Sequence, residues 1–174
     1  MKKLKIGITG QSGFVGTHLT NNINFVNEKF DIVPFEDSFF DKIQLLNSFV
    51  EKCDVIIHLA GVNRHEDENY IFKRNIELAN ILVKSLNKSK SKTHLIFSSS
   101  VQESNDNLYG KSKLKAREIL VNWSKQSGNI FTGLLIPNLF GPFGKPNYNS
   151  VISTFCYKLV NNENPAIIQD SEIK

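Results

Sequence analysis

Ser98, Ser99 and Ser100 close an apolar run, Tyr109 follows nine residues after Ser100, and Lys113 stands four residues beyond Tyr109. A spacing of four puts Tyr109 and Lys113 on one face of a helix, one turn apart. A phenol with an ordinary pKa of about 10 exchanges protons poorly at neutral pH. A neighbouring ammonium stabilises the phenolate, so Lys113 is expected to lower that value. A serine hydroxyl at the adjacent strand end can hydrogen-bond a substrate oxygen. Together these groups can move a proton to or from an oxygen whose carbon exchanges a hydride. Taken singly, each has a plainer reading: Tyr109 packs at a helix start, Lys113 lies in solvent, and the serines are a polar strand end.

A second group lies near the N-terminus, Thr9-Gly10-Gln11-Ser12-Gly13-Phe14-Val15-Gly16. The pattern is G-x-x-G-x-x-G, one residue longer between its first two glycines than the dinucleotide fingerprint. Gly10 permits a tight turn, and Gly13 lets backbone N–H groups approach a pyrophosphate at a helix N-terminus. Gly16 lets the helix pack closely on the strand. Glycines also cluster in ordinary strand-to-helix turns, but the place directly after a first strand favours dinucleotide binding. No Gly-Lys-Ser/Thr ends the loop, which excludes a P-loop. An acid about 20 positions on would meet the adenosine ribose. Glu36 and Asp37 stand there, favouring the free 2′-hydroxyl of NAD, and no arginine stands nearby in the sequence to hold a 2′-phosphate. The alternative for both acids is a solvated loop.

Alternating segments must position these groups. Apolar runs at 4–9, 30–35, 54–59, 94–98 and 131–137 read as strands, the third nearly continuous as in a strand buried on both faces. Between them, 14–22, 41–51, 70–86 and 109–124 read as helices, followed by a Gly/Pro/Asn loop, a helix at 150–160 and a last strand at 165–169. Ile43, Leu45, Leu46, Phe49 and Val50 are expected on one side of the second helix. Ile76, Ala79, Asn80, Leu82 and Val83 are expected in register on the third. Leu114, Ile119, Leu120 and Trp123 are expected inward on the fourth. The fold class is therefore α/β: a Rossmann-like, doubly wound parallel sheet with helices on both faces. Its chemistry belongs at the carboxyl ends of the strands.

Composition narrows the setting. The chain has 174 residues, 40% hydrophobic and 22% charged, which suits one compact domain or part of a larger one. No apolar run approaches the roughly 20 residues of a membrane span, and no secretory h-region follows the N-terminus. The net charge of +4 comes almost wholly from lysine, with Arg64, Arg74 and Arg117 as the arginines. Lys84, Lys88, Lys90 and Lys92 read as a solvated helix end rather than a nucleic-acid surface. Cys53 and Cys156 have neither disulfide nor metal-ligand spacing and read as buried thiols in a reducing cytoplasm. No metal, nucleic-acid or membrane partner is expected.

The loop TGQSGFVG at 9–16, HLAG at 58–61, Asn75, SSS at 98–100, YGKSK at 109–113 and PNLFGP at 137–142 resemble the extended short-chain dehydrogenases/reductases of the NAD-dependent epimerase/dehydratase type. HLAGVNR at 58–64, the short loop from Ser98 to Lys113 and KPNYNSVISTFCYK at 145–158 resemble one subfamily more narrowly. That subfamily is the bacterial capsular-polysaccharide and O-antigen reductases of a UDP-linked 4-keto-6-deoxy-N-acetylhexosamine, on the route to N-acetyl-L-fucosamine. The resemblance implies that Tyr109 protonates the C4 carbonyl oxygen, that Lys113 lowers its pKa and holds the nicotinamide ribose, and that Ser100, with Ser99 as the fallback, orients the substrate oxygen. It implies a cofactor site of Gly10, Gly13, Phe14, Val15, Gly16, Glu36, Leu59, Ala60, Gly61, Asn75, Ser98 and Pro137. Asn63, Arg64, Ser99 and Asn138 would meet the UDP-sugar.

The resemblance implies NADP, whereas Glu36 and Asp37 favour NAD. It also implies a helix-paired homodimer, and an arginine two residues before the Pro-Asn pair, where this chain has Leu135. Members of the subfamily are longer, so 1–174 are expected to hold the dinucleotide-binding domain and only the start of the substrate lobe. The rest of that lobe and a cupin-like domain are expected to lie outside them. Beside a reductase stand three other readings: a catalytically inactive dinucleotide-binding remnant, a related nucleotide-sugar epimerase or dehydratase, and a nucleotide sensor. An intact Tyr109/Lys113 pair counts against the sensor.

Overall fold

The computed structural model describes residues 2–26, 28–89 and 92–166. In chain order the elements are β1 (Leu4–Thr9), α1 (Phe14–Phe25), β2 (Phe30–Val33), α2 (Ile43–Lys52) and β3 (Val55–His58). They continue with α3 (Glu68–Lys88), β4 (His94–Ser100), α4 (Leu108–Ser127), β5 (Phe131–Ile136) and α5 (Val151–Val160). Two 3₁₀ turns, Asp37–Asp41 and Val101–Ser104, follow β2 and β4. The strand expected at 165–169 is not formed at 165–166, and its remainder lies outside the described residues.

The chain divides into two compact units, Met1–Leu135 and Ile136–Lys174. In the first, the sheet order is β2-β1-β3-β4-β5, and β1 pairs in parallel with both β2 and β3, as β3 does with β4. The chain steps one way from β1 to β2 and then back across β1 to β3. Right-handed crossovers in opposite directions put the connecting helices on opposite faces. Ile23 of α1 accordingly packs with Ile6 and Ile8 on one face. On the other, α2, α3 and α4 bring Leu46, Phe49, Leu82, Ala116 and Leu120 onto Ile56, Leu95 and Phe97. Gly7 faces α2 so closely that a Cβ would lie 2.5 Å from both Cys53 Sγ and Phe49 Cζ.

Side-chain register differs from expectation on two helices. On α2, Leu45 is exposed and Asn47 is buried. On α3 the buried face is Ile71, Asn75, Leu78, Ala79, Leu82, Ser85 and Leu86, while Asn80 is exposed and Ile76 and Val83 are half-buried. Asn75 and Ser85 sit on the inner face, so the apolar stripe is interrupted by polar residues and its phase is disguised. α4 buries Leu120 and Trp123 as expected, with Leu114 and Ile119 half-buried. Caps fix the helix starts: Asp67 accepts from Asn69 N on α3 (2.8 Å), and Asn107 accepts from Gly110 N on α4 (2.7 Å). Gly128, at φ +70°, ends α4.

In the second unit, Ser150 caps α5, whose residues are all at least partly exposed. Cys156 is exposed there, against expectation, whereas Cys53 is buried, donates to the Phe49 carbonyl (3.1 Å) and has its thiol pushed up to about 12 by burial. Among the described residues, no helix is long and apolar enough to cross a membrane.

Candidate active site

Thr9, His58 and Phe97 sit in register across β1, β3 and β4. One residue further, the three chains leave the sheet as Gly10, Leu59 and Ser98. The reversal in strand order lies between β1 and β3, and an open α/β sheet leaves a crevice at such a point. The two strand ends are fastened together there. Thr9 Oγ1 lies 2.7 Å from His58 Nδ1 and accepts from Ala60 N, while Leu59 N donates to the Thr9 carbonyl. His58 stacks on Phe97, with ring centroids 5.6 Å apart. Burial, and secondarily the Lys113 charge, push its pKa down to about 3, so it stays neutral and structural.

The glycine turn forms one wall of the crevice. Gly10 has φ +76°, and a Cβ on it would lie 2.9 Å from Ala60 N. Gly13 caps α1 without a side chain, its N–H bonded to the Gly10 carbonyl (3.1 Å). Gly16 serves the turn itself rather than the helix-on-strand packing expected of it: a Cβ would lie 2.1 Å from Gly10 O and 2.8 Å from Gln11 Cα. The resulting cleft has a volume of about 300 Å³ and is walled by Gly10, Ser12, Gly13, Leu59, Ala60 and Gly61. Asp37, Phe40, Val62, Arg74 and Leu78 complete the lining. Asp37, not Glu36, is the acid of this cleft, and it accepts from Ser12 Oγ (3.3 Å). Glu36 caps the following 3₁₀ turn and lies in solvent. Phe14 and Val15 are outside the lining; Phe14 packs edge-on against His18. An arginine does stand near Asp37 after all: Arg74 enters the lining from α3, bonded to Glu77 (2.7 Å).

Gly61 joins this cleft to the residues of β4 and α4. A Cβ on it would lie 3.1 Å from Asn75 Oδ1 and 3.4 Å from Lys113 Nζ. Asn75, buried on α3, accepts from Val62 N (2.7 Å) and donates to the Val62 carbonyl and to Ser112 Oγ (both 2.9 Å). It thus ties the loop after β3 to α4. Lys113 is buried, donates to the Ser98 carbonyl (2.9 Å) and lies 5.0 Å from the Phe97 ring centroid and 6.0 Å from that of Tyr109. Burial pushes its pKa down to about 8, against the opposing pull of Glu103.

Tyr109 departs from the electrostatics expected of it. Burial raises its pKa, and a hydrogen bond with Ser100 opposes the rise. The phenol is held protonated. The ammonium donates to the Ser98 carbonyl, with the Tyr109 ring centroid 6.0 Å away.

The three serines have three tasks. Ser98 Oγ donates to the His58 carbonyl (3.3 Å), Ser99 Oγ donates to Glu103, and Ser100 caps the 3₁₀ turn by accepting from Gln102 N (3.1 Å) while pairing with Tyr109. Asn63 and Arg64 are exposed in the loop between β3 and α3, outside the cleft lining. Pro137 and Asn138 are exposed residues of the second unit. Among the described residues no group of three or more His, Cys, Asp or Glu side chains could hold a metal. Arg74, Glu103 and Arg117 are the site residues that motif reading passed over.

Such a sheet, with its crevice where the strand order reverses, is a Rossmann-like α/β domain. Residues 6–173 match the NAD dependent epimerase/dehydratase family, and the chain belongs to it. It is 33% identical over 159 residues to the UDP-2-acetamido-2,6-beta-L-arabino-hexul-4-ose reductase of Pseudomonas aeruginosa (strain PA103), covering 91% of this chain and 42% of the relative. Among solved structures it resembles the capsular polysaccharide assembling protein CapF of Staphylococcus aureus, with TM-score 0.72 and 36% identity over 95% of this chain and 43% of CapF. RMD from Pseudomonas aeruginosa, complexed with NADPH, shares the fold at TM-score 0.81 and 20% identity, over 92% of this chain and 62% of RMD. The chain spans about two fifths of the length of the reductase and of CapF.

Proposed function

We propose that this chain is the dinucleotide-binding part of a reductase that uses NAD(P)H, with NADPH preferred, to reduce the C4 keto group of a UDP-linked 6-deoxy-N-acetylhexosamine. The observation that carries the reading is the continuity through Gly61, which puts the glycine-turn cleft next to buried Lys113. The cleft fits a dinucleotide on its own geometry. Its walls are backbone that Cβ atoms would fill, at the N-terminus of α1 where anions are favoured. Gly10, Gly13, Leu59, Ala60 and Gly61 would hold the pyrophosphate and adenosine portions, with Asp37 and Arg74 at the adenosine ribose. Lys113 would hold the nicotinamide ribose. The nicotinamide supplies the hydride when bound.

The protein's own contribution is proton delivery and orientation. Tyr109, kept protonated by burial, donates its phenolic proton to the keto oxygen, and Ser100 orients that oxygen through a hydrogen bond. The C4 carbon gains a hydride and its oxygen a proton, which together make the alcohol. Residues from 136 onward begin the sugar-nucleotide lobe in this reading. Mixing the purified chain with NADPH and the UDP-4-keto sugar tests it: loss of nicotinamide absorbance is expected. Absence of both turnover and dinucleotide binding would contradict it. A second reading is dinucleotide binding without turnover. Measurable NADPH binding with no loss of absorbance selects it.

A further inference from the structure

Glu103 belongs to none of the motifs, yet its side chain is only 9% exposed and fully engaged. Arg117 Nε donates to both of its carboxylate oxygens at 2.9 Å and Arg117 Nη2 to Oε2 at 2.6 Å, while Ser99 Oγ donates to Oε1. These contacts join three elements. Ser99 is on β4, Glu103 on the Val101–Ser104 turn, and Arg117 two turns beyond Tyr109 on α4. The turn itself is pressed onto α4: a Cβ on Gly110 would lie 2.0 Å from the Gln102 carbonyl oxygen, and Asn107 Nδ2 donates to Gln102 Oε1 (3.3 Å). Arg117 in turn runs along β5, where a Cβ on Gly133 would lie 3.1 Å from its Cδ. A cation therefore reaches this flank of the sheet from α4, although β5 carries Leu135 where an arginine was expected.

We propose that Glu103, clamped by Arg117, is a positioning residue: it fixes the serine end of β4 against the first turn of α4 and supplies a counter-charge to Lys113. The inference rests on the proposed reductase reading, in which Ser100, Tyr109 and Lys113 must share one geometry. Burial alone would raise the carboxyl pKa. Hydrogen bonds from Arg117 and Ser99, then the charges of Arg117 and Lys113, overcome it and hold Glu103 below the usual carboxylate range. Lys113 lies against the Ser98 carbonyl and the Phe97 and Tyr109 rings; His58 on β3 is neutral, Tyr109 on its own helix is protonated, and the Glu103 charge on the turn opposes the fall of the Lys113 pKa. Glu103 is thus a counter-charge to an ammonium already weakened by burial.

The test reads Lys113 directly in the free chain, through the ε-carbon resonance of labelled lysine followed against pH. The wild-type midpoint is expected at about 8. In Glu103→Gln it moves lower, with at least a threefold loss of proton affinity, and Glu103→Asp restores most of it. A second measurement needs no variant: the wild-type Lys113 signal shows a smaller inflection in the acid range, where Glu103 takes up its proton. Superimposed midpoints in wild type and Glu103→Gln, or no acid inflection, would overturn the proposal. NADPH titration of the same samples separates the two claims. Failure of the wild-type chain to bind dinucleotide counts against the reductase reading alone, because the lysine titration does not depend on a ligand.

Discussion

At the β1 end of the cleft the glycine turn presents backbone, with the Asp37 and Arg74 side chains beside it, and at the β4 end the groups are side chains. Gly10, Gly13 and Gly61 work by lacking a Cβ, and Gly16 lets the turn close by the same absence. Around β4 and α4, Ser100, Tyr109 and Lys113 would work through hydroxyl, phenol and ammonium, beside a frame in which Asn75 bonds Ser112 and Glu103 bonds Ser99 and Arg117. Backbone N–H groups carry no titratable charge, so the glycine turn itself does not titrate. The second contains a buried ammonium with its pKa near neutrality, so it answers to pH and to single-atom substitutions. Binding and chemistry are thereby assigned to materials that fail in different ways.

Tyr109→Phe gives the largest separation. Turnover is expected to fall by about 10² to 10⁴, the usual worth of a general acid, while NADPH affinity stays within about twofold. Equal turnover in the variant would remove the acid role. Gly16→Ala attacks the other region. A Cβ placed 2.1 Å from a carbonyl oxygen forces the turn open, and overpacking of this kind costs about 1–3 kcal/mol of stability. Urea denaturation together with NADPH titration checks it. Undiminished stability with normal affinity would mean the turn is not the wall described.

Lys113 makes the contrast visible without any substitution. Its folded pKa of about 8 lies below the ordinary 10.5, so between these values the unfolded chain binds more protons than the folded one. Stability contributed through this group therefore rises with pH across that window. Dinucleotide affinity moves the opposite way, falling about tenfold as the ammonium discharges and its charge-assisted hydrogen bond weakens. Thermal melts and NADPH titrations over the same pH series, with Lys113→Met as the flat control, decide it. Smallest is the effect at the adenosine end. Arg74→Ala is expected to weaken NADPH several-fold with little change for NADH, and Asp37→Asn to strengthen NADPH by a similar factor. Identical changes for both dinucleotides would show that neither residue meets the 2′ position.

The backbone region was largely legible because its signal is residue type at a turn: few residues but glycine survive at φ +76° beside another backbone. Tyr109 and Lys113 were legible because helical spacing is local. What surrounds them was not. Glu103 and Arg117 are 14 positions apart and meet only when the Val101–Ser104 turn folds against α4. Arg74 is far in sequence from Asp37, and the two converge on the cleft only because α3 lies beside the 3₁₀ turn after β2. The α3 register was misjudged because Asn75 is buried for its hydrogen bonds to Val62 and Ser112, which hydrophobic periodicity does not register. The direction of the Tyr109 shift depends on burial, which spacing does not reveal.

Chemical-shift mapping of the labelled chain with a whole dinucleotide and with a piece of it tests most directly whether both regions serve one ligand. ADP should move the Gly10, Gly13 and Ala60 amides and leave the Lys113 ε-carbon unchanged, whereas NADPH should move all of them at a single affinity. If NADPH shifts the glycine amides without touching Lys113, or shifts Lys113 at a different affinity, the two regions do not share a ligand.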